Sequence, residues 1–285
     1  MNPIRIVEVG PRDGLQNVKG VIPTEVKIAF VDALSEAGSD EIEVSSFVSP
    51  KWVPQLADAD EVFRRIGRRP GVRYMALVPN EAGLDRAVAA RVDKIAVFTA
   101  ASETFNRKNI NASIAESIER IRPVVRQSPV PVRGYISTAF HCPFEGPIAP
   151  ATVVPVAQAL LALGCSELSI GDTIGKATPD EVSSLLKRLL PVVGADRIAM
   201  HFHDTYGRAV ANAERSAALG IRVFDASAGG IGGCPYAPGA TGNVATEALL
   251  VLFGPRTPID RAALDRASAM VRPYLTGSPT EPAAG

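Results

Sequence analysis

Eight short apolar runs, separated by stretches that carry helix-boundary signals, constrain this chain more than any other feature. They begin at Ile4 (IRIVEV), Glu41 (EIEVSS), Val72 (VRYMALV), Lys94 (KIAVFT), Val132 (VRGYIST), Glu167 (ELSIGD), Arg197 (RIAMHFH) and Arg222 (RVFDASA). Most are rich in Val and Ile and several are nearly continuous in apolar character, so they read as strands covered on both faces, the pattern of βαβ units and a parallel sheet. Between them, Pro23-Thr24-Glu25 opens a helix that Gly38 closes, Thr178-Pro179-Asp180-Glu181 opens another, and Gly220 ends the stretch RAVANAERSAAL. Eight strand-plus-helix units in about 250 residues match the arithmetic of a (β/α)8 TIM barrel, an α/β fold. An extra C-terminal helix is expected near Arg261 to Val271. This predicts one catalytic domain over residues 1–275 and a flexible tail over 276–285, where the sequence is small, polar and Pro-containing.

Composition removes several classes of function. Thirty Lys and Arg balance thirty Asp and Glu, which leaves no electrostatic footprint for nucleic acid or an anionic membrane surface. No apolar run approaches the roughly 18 to 20 residues of a spanning helix, and the opening MNPIRIVEVG reads as a strand rather than a cleavable leader. Three cysteines, Cys142, Cys165 and Cys234, lack metal-type spacing and make no disulfide framework, so a reducing, cytoplasmic location is expected.

In such a barrel the residues just past each strand meet at one rim, where barrel enzymes keep their active sites. After the first run comes GPRDGLQN, with Arg12 and Asp13; taken alone, this is a turn-forming Asp-Gly beside a solvated arginine. The seventh run ends in His201-Phe202-His203-Asp204, and alternation along a strand puts both imidazoles on one face, able to reach one cation. A lone histidine is ordinarily structural, but two of only three histidines at i, i+2 on a strand end point to a metal. Asp13 adds a hard carboxylate, and Asn243, in the loop after the eighth run, adds a carbonyl oxygen. Two nitrogen and two oxygen donors, with room for water and substrate, suit octahedral Mg²⁺ or Mn²⁺. Zinc is the weaker choice, because no cysteine or third histidine other than His141 is placed to complete a tetrahedral site.

The stretch SAGGIGGCPYAPGATGN, from Ser227 to Asn243, surrounds Cys234 with six glycines. A loop of this composition is too glycine-rich for a core element and suits closure over an active site. A dinucleotide-binding reading fails, since Gly230-Ile231-Gly232 has no glycine at the sixth position and no helix opens directly after it. Cys165, in an apolar helix end, reads as an inert buried thiol, and Cys142 stays open between the two roles. Cys234 is the candidate reactive thiol, able to give a proton to a carbanion.

Taken together, VEVGPRDGLQN from Val7, SSFVSPKWVPQ from Ser45, ASETFNRKNIN from Ala101, VRGYIS from Val132, SIGDTIG from Ser169, HFHDTYG from His201 and GGIGGCPYAPGATGNVATE from Gly229 resemble the 3-hydroxy-3-methylglutaryl-CoA lyase family of metal-dependent barrel enzymes. The resemblance spans nearly the whole chain, and its cysteine loop is the most specific part. It implies cleavage of 3-hydroxy-3-methylglutaryl-CoA, or a close homologue, to acetoacetate and acetyl-CoA, as in leucine degradation or ketone-body formation. It also implies Asp13, His201, His203 and Asn243 as metal ligands, and Asp13 or His201 as an aid to proton removal. Arg12 would stabilise an enolate oxygen, and Cys234 would protonate the carbanion. Glu43 matches the family's acidic residue, orienting Arg12 or a water, or else forming a structural ion pair. Asp172 faces the rim as a catalytic carboxylate or a turn cap. Lys19, Arg107 and Lys108 are cations available to the CoA, or a solvated face.

Departures from the family pattern occur in SAGGIGG, in TAFHCPFEG and at Lys176 in GKATP, where His141 and Lys176 either read a different acyl group or are only exposed. The alternatives are a Claisen-type condensing acyltransferase of the same superfamily, a lyase for another 3-hydroxy-acyl-CoA, and a barrel kept as a binding protein. The cysteine loop and the lack of a regulatory domain argue against the first, and the intact site residues against the last. A homodimer is a family expectation.

Overall fold

The computed structural model describes residues 3–234 and 237–275, with only the backbone path given for 233, 234 and 237–241. The predicted tail, 276–285, and the Cys234 side chain lie outside the described residues. Eight parallel strands close into a barrel: β1 (Arg5–Glu8), β2 (Glu41–Ser46), β3 (Arg73–Leu77), β4 (Lys94–Ala100), β5 (Val132–Ser137), β8 (Glu167–Asp172), β9 (Ile198–Phe202) and β10 (Val223–Ala226). Two small antiparallel ribbons lie outside the barrel. These are β6 (His141–Cys142) with β7 (Gly146–Pro147), and β11 (Gly233–Cys234) with β12 (Ala237–Thr241). All eight predicted strands are present, trimmed by a residue or two at some ends.

Helices α1 (Thr24–Glu36), α2 (Ala59–Arg65), α3 (Glu81–Ala89), α4 (Glu103–Ile110), α5 (Ile114–Gln127), α6 (Pro150–Leu163), α7 (Pro179–Val193), α8 (Ala209–Ala218), α9 (Thr246–Phe253) and α10 (Arg261–Leu275) surround the barrel. The terminal helix runs four residues beyond its predicted end, to Leu275. Local chemistry sets their edges. Thr178 caps α7 through a reciprocal bond with Glu181, and Ser113 does the same for α5 with Glu116, so two orphan donors are satisfied at each start. No helix among the described residues is long and apolar enough to cross a membrane.

The apolar core divides in two. The larger part lies between sheet and helices, from Ile4 and Ile42 to Leu185 and Leu264. A smaller cluster fills the lumen with Val7, Val9, Met75, Leu77, Ala96, Tyr135, Ala199 and Val223. Beneath it the lumen is ionic. Five strands open on a charged residue, Arg5, Glu41, Arg73, Lys94 and Glu167. Glu41 accepts from Lys94 at 2.7 Å and forms an ion pair with Arg73 at 2.7 Å, and Lys94 reaches Glu167 at 2.8 Å. Barrel interiors are usually dominated by branched aliphatics, so this floor departs from the common pattern.

Candidate active site

β1 runs directly into a tight π-type turn, Gly10–Gly14, in which the N–H groups of Asp13 and Gly14 both donate to the Val9 carbonyl. The turn carries Arg12 inward and Asp13 to the barrel mouth, so the solvated-arginine alternative does not hold: Arg12 is buried. Its guanidinium donates to Glu43 Oε2 through Nε at 2.7 Å and pairs with it through NH2 at 2.6 Å. A third donor, NH1, meets Asp13 Oδ1 at 2.6 Å. Burial opposes the Arg12 charge, but Glu43 and Asp13 outweigh it and keep the guanidinium protonated.

Asp13, His201 and His203 each present one ligand atom within 4.8 Å of the others. The His201 and His203 ring centroids are 5.2 Å apart. His203 is buried, and its Nδ1 has no hydrogen-bond partner among the described residues. A buried imidazole with an unpartnered ring nitrogen, grouped with a carboxylate and a second imidazole, fits a divalent cation. Burial would raise the Asp13 carboxyl, but Arg12 and the two imidazoles overcome it and hold it at about 2. Burial, helped by the charge of His201, pulls His203 down to about 4, so its ring is neutral at physiological pH. Burial would also lower His201, but the hydrogen bond and charge of Asp225 outweigh it and raise that group.

Asn243 joins the cluster because residues 242–245 lie along the ends of β9 and β10. Asn243 bridges to His203, and Val244 N–H donates to the Phe202 carbonyl at 3.0 Å. The predicted contribution of Asn243 was a carbonyl oxygen, whereas here its amide nitrogen donates to Asp13 Oδ2 at 2.8 Å. A half-turn of the amide would exchange nitrogen for oxygen at this point.

Sequence reading missed the buried residues behind this cluster. Tyr135 donates to Glu43 Oε2 at 3.1 Å and lies under both Arg12 and Arg133. Asp225 meets His201 Nδ1 at 3.2 Å. Glu8 accepts from Gly10 N–H, Ala228 N–H and Thr246 Oγ1, and burial pushes its carboxyl up to about 7. The available signal was a charged or hydroxyl-bearing residue interrupting an otherwise apolar strand, as in IRIVEV, VRGYIST and RVFDASA.

Other predicted residues are spread around the rim. Asp172 ends β8 and accepts the N–H groups of Lys176 and Ala177 at 3.1 and 3.0 Å, and burial raises it to about 7. That is the geometry of a turn cap, with a neighbouring His201 felt electrostatically. Cys234 lies on the β11–β12 ribbon, within the glycine-rich stretch read as a loop suited to closure. Cys165 is buried and its thiol is pushed up to about 12 by burial, which makes it inert. Cys142 is buried and accepts from Ser102 Oγ at 3.0 Å. Lys19 is exposed after the β1 turn, while Arg107 and Lys108 lie in the last turn of α4, where Lys108 covers the Phe144 ring. His141 pairs with Glu181 at 2.9 Å, and Lys176 is exposed near Tyr206, around a cavity of about 230 Å³.

The HMGL-like family model matches residues 3–271. The cytoplasmic 3-hydroxy-3-methylglutaryl-CoA lyase of Rattus norvegicus is 51% identical over 253 residues, 88% of this chain and 74% of that protein. A Pseudomonas aeruginosa protein named 3-hydroxy-3-isohexenylglutaryl-CoA/hydroxy-methylglutaryl-CoA lyase is 54% identical over 253 residues, 88% of this chain and 84% of its own length. The crystal structure of the HMG-CoA lyase from Brucella melitensis superposes with a TM-score of 0.95 at 48% identity, covering 97% of this chain and all of that one. A match that runs from the first strand into the last helix, with the acid and paired histidines converging as described, means that this chain belongs to the hydroxymethylglutaryl-CoA lyase family.

Proposed function

We propose that the protein is a divalent-metal-dependent carbon-carbon lyase that cleaves 3-hydroxy-3-methylglutaryl-CoA to acetoacetate and acetyl-CoA. The observation that carries this reading is the meeting of Asp13, His201 and His203 at one point, with the Arg12 guanidinium bonded to Asp13 beside it. Cleavage requires loss of the tertiary hydroxyl proton, stabilisation of the thioester enolate as the C2–C3 bond breaks, and protonation of that enolate.

Asp13, His201 and His203 would hold Mg²⁺ or Mn²⁺, with Asn243 as a fourth ligand through its carbonyl oxygen. When bound, the ion lowers the pKa of an attached hydroxyl and neutralises charge on the substrate oxygens. Asp13 or His201 assists removal of the hydroxyl proton. Because Nδ1 of His201 already faces Asp225, this ring has one nitrogen left and serves as ligand or as base, but not both. Arg12, fixed by Glu43, sets its charge against the developing enolate oxygen. Cys234 gives its thiol proton to the carbanion carbon. The dual name of the Pseudomonas relative supports a second reading, a lyase that accepts a longer substituent at C3. The His141 and Lys176 cavity is where such a difference would be sought.

The test is acetoacetate release from the purified protein with Mg²⁺ or Mn²⁺ and 3-hydroxy-3-methylglutaryl-CoA. Release is expected to stop with chelator and resume with metal, and His203→Ala is expected to lose metal and turnover together. No release with either ion, while a 3-isohexenyl analogue is cleaved, would replace the first substrate by the second.

A further inference from the structure

We propose that Asp225 is a positioning residue that fixes His201 as its Nδ1–H tautomer and thereby aims the Nε2 lone pair at the point shared with Asp13 and His203. The inference rests on the metal-binding part of the reading above and goes beyond it by naming what makes His201 a ligand.

β9 and β10 are neighbours, and their register sets His201 directly opposite Asp225, so both side chains face the lumen. Asp225 is buried, and its carboxylate is fully engaged. Oδ1 accepts from Arg133 NH2 at 2.5 Å, and Oδ2 accepts from Ser169 Oγ at 2.8 Å and faces His201 Nδ1 at 3.2 Å. An ionised carboxylate can only accept, so the proton on the imidazole has to sit on Nδ1, and the remaining lone pair is left on Nε2. A carboxylate behind a metal-ligating histidine acts in this way in metal sites generally, setting tautomer, ring orientation and basicity together.

Arg133 gives this arrangement a direction. It is 0% exposed, packs 5.1 Å over the Tyr135 ring, and its Nε lies 3.3 Å from Glu167 Oε1. Glu167 is in turn held by Lys94 at 2.8 Å. A guanidinium donates only, so whatever occupies position 225 has to present an acceptor to it. In Asp225→Asn the amide oxygen is therefore pinned opposite Arg133, and the NH2 group falls at the place of Oδ2, facing Nδ1. That donor requires Nδ1 to accept, which drives the proton to Nε2 and removes the lone pair that binds metal. The same isosteric exchange is known to select the wrong histidine tautomer in hydrolase triads. A purely structural ion pair would give a different result, with lower thermal stability but an unchanged tautomer.

The experiment uses the full chain with Mn²⁺ as the probe, titrated calorimetrically, together with long-range ¹H–¹⁵N correlation of the imidazoles in the metal-free protein at alkaline pH. With only three histidines, His201 is assigned by difference against His141→Gln and His203→Gln. Wild-type His201 is expected as Nδ1–H, and Asp225→Asn as Nε2–H with Mn²⁺ affinity reduced about 10- to 100-fold. Ser169→Ala, which removes one donor but no charge, is expected to keep the Nδ1–H form. A wild-type Nε2–H tautomer overturns the proposal, and so does an Asp225→Asn protein that binds Mn²⁺ normally or loses it with the tautomer unchanged. If Asp225→Asn does not fold, the wild-type tautomer decides alone. These readouts are independent of thioester cleavage, so an inactive protein with the expected tautomer and affinity would defeat the lyase reading and leave this one standing.

Discussion

The side-chain amide of Asn243 donates to Oδ2 of Asp13 at 2.8 Å across 230 positions of sequence, joining the first and last rim turns of the barrel where the candidate ligands converge. Replacing Asn243 by Ala removes both this bond and the carbonyl oxygen expected to turn toward a bound ion. Mn²⁺ affinity is expected to fall about 10- to 100-fold, as for loss of a ligand or its immediate support. Thermal stability should drop by about 2 to 3 kcal/mol, the net worth of the amide's bonds to the Asp13 carboxylate and to the Ile231 carbonyl. Calorimetric titration beside a melting curve separates the two, and unchanged Mn²⁺ affinity would remove Asn243 from the site.

Arg12 sets Nε and NH2 on Glu43 and NH1 on Asp13 from one rigid planar fork, a geometry that the single ammonium of a lysine does not reproduce. Arg12→Lys is therefore expected to behave nearly as Arg12→Gln, with kcat down about 10²- to 10³-fold and KM little changed, as for a group acting on charge that develops in the transition state. Glu43→Gln should move kcat in the same direction by a smaller factor, since the guanidinium remains but is less firmly held. A Lys variant with wild-type kcat would show that only the charge matters, not the fork.

If Cys234 supplies the final proton, Cys234→Ala should lose about 10²- to 10⁴-fold in turnover and keep its Mn²⁺, because no ligand has been touched. Normal turnover in this variant would end the proton-donor assignment.

Metal binding should weaken in acid with a particular slope. A proton must leave His201 before its nitrogen can ligate, and Asp225 raises that group above the ordinary imidazole value despite burial. His203, held down to about 4, is already neutral across this range and contributes no proton until much lower pH. The apparent Mn²⁺ association constant should therefore fall about tenfold per pH unit on the acid side of His201, with one proton released per ion bound. Isothermal titration in buffers of different ionisation enthalpy counts that proton. Two protons released near neutrality would mean that both imidazoles titrate together.

The barrel was legible because its strands are short, nearly all apolar and regularly spaced, and because boundary residues such as Thr178, Gly38 and Gly220 do locally what their chemistry dictates. The ligand cluster was legible for a related reason: the i, i+2 spacing of His201 and His203 is a fact of one strand, and the rim rule supplies Asp13. Residues that act across strands were not. Arg133 lies 92 positions from Asp225, and Glu8 lies 220 positions from Ala228, so their partners exist only once the sheet has closed. In strands buried on both faces the alternation that would tell lumen from exterior is also muted, and charged residues at strand starts pass for boundaries. The π-type turn at Gly10–Gly14 was hidden by a dipeptide, Asp-Gly, whose usual meaning is a simple turn.

The ionic floor of the barrel sets a boundary for protein engineering. Buried ion groups can often be exchanged as a set for shape-matched hydrocarbon with no loss of stability, whereas removing one member strands the others. Glu41 and Lys94 are open to such joint replacement only as far as Glu167, because that carboxylate also steadies Arg133. Attempts to raise heat resistance from below would thus meet a limit set by catalysis well before they reached the mouth.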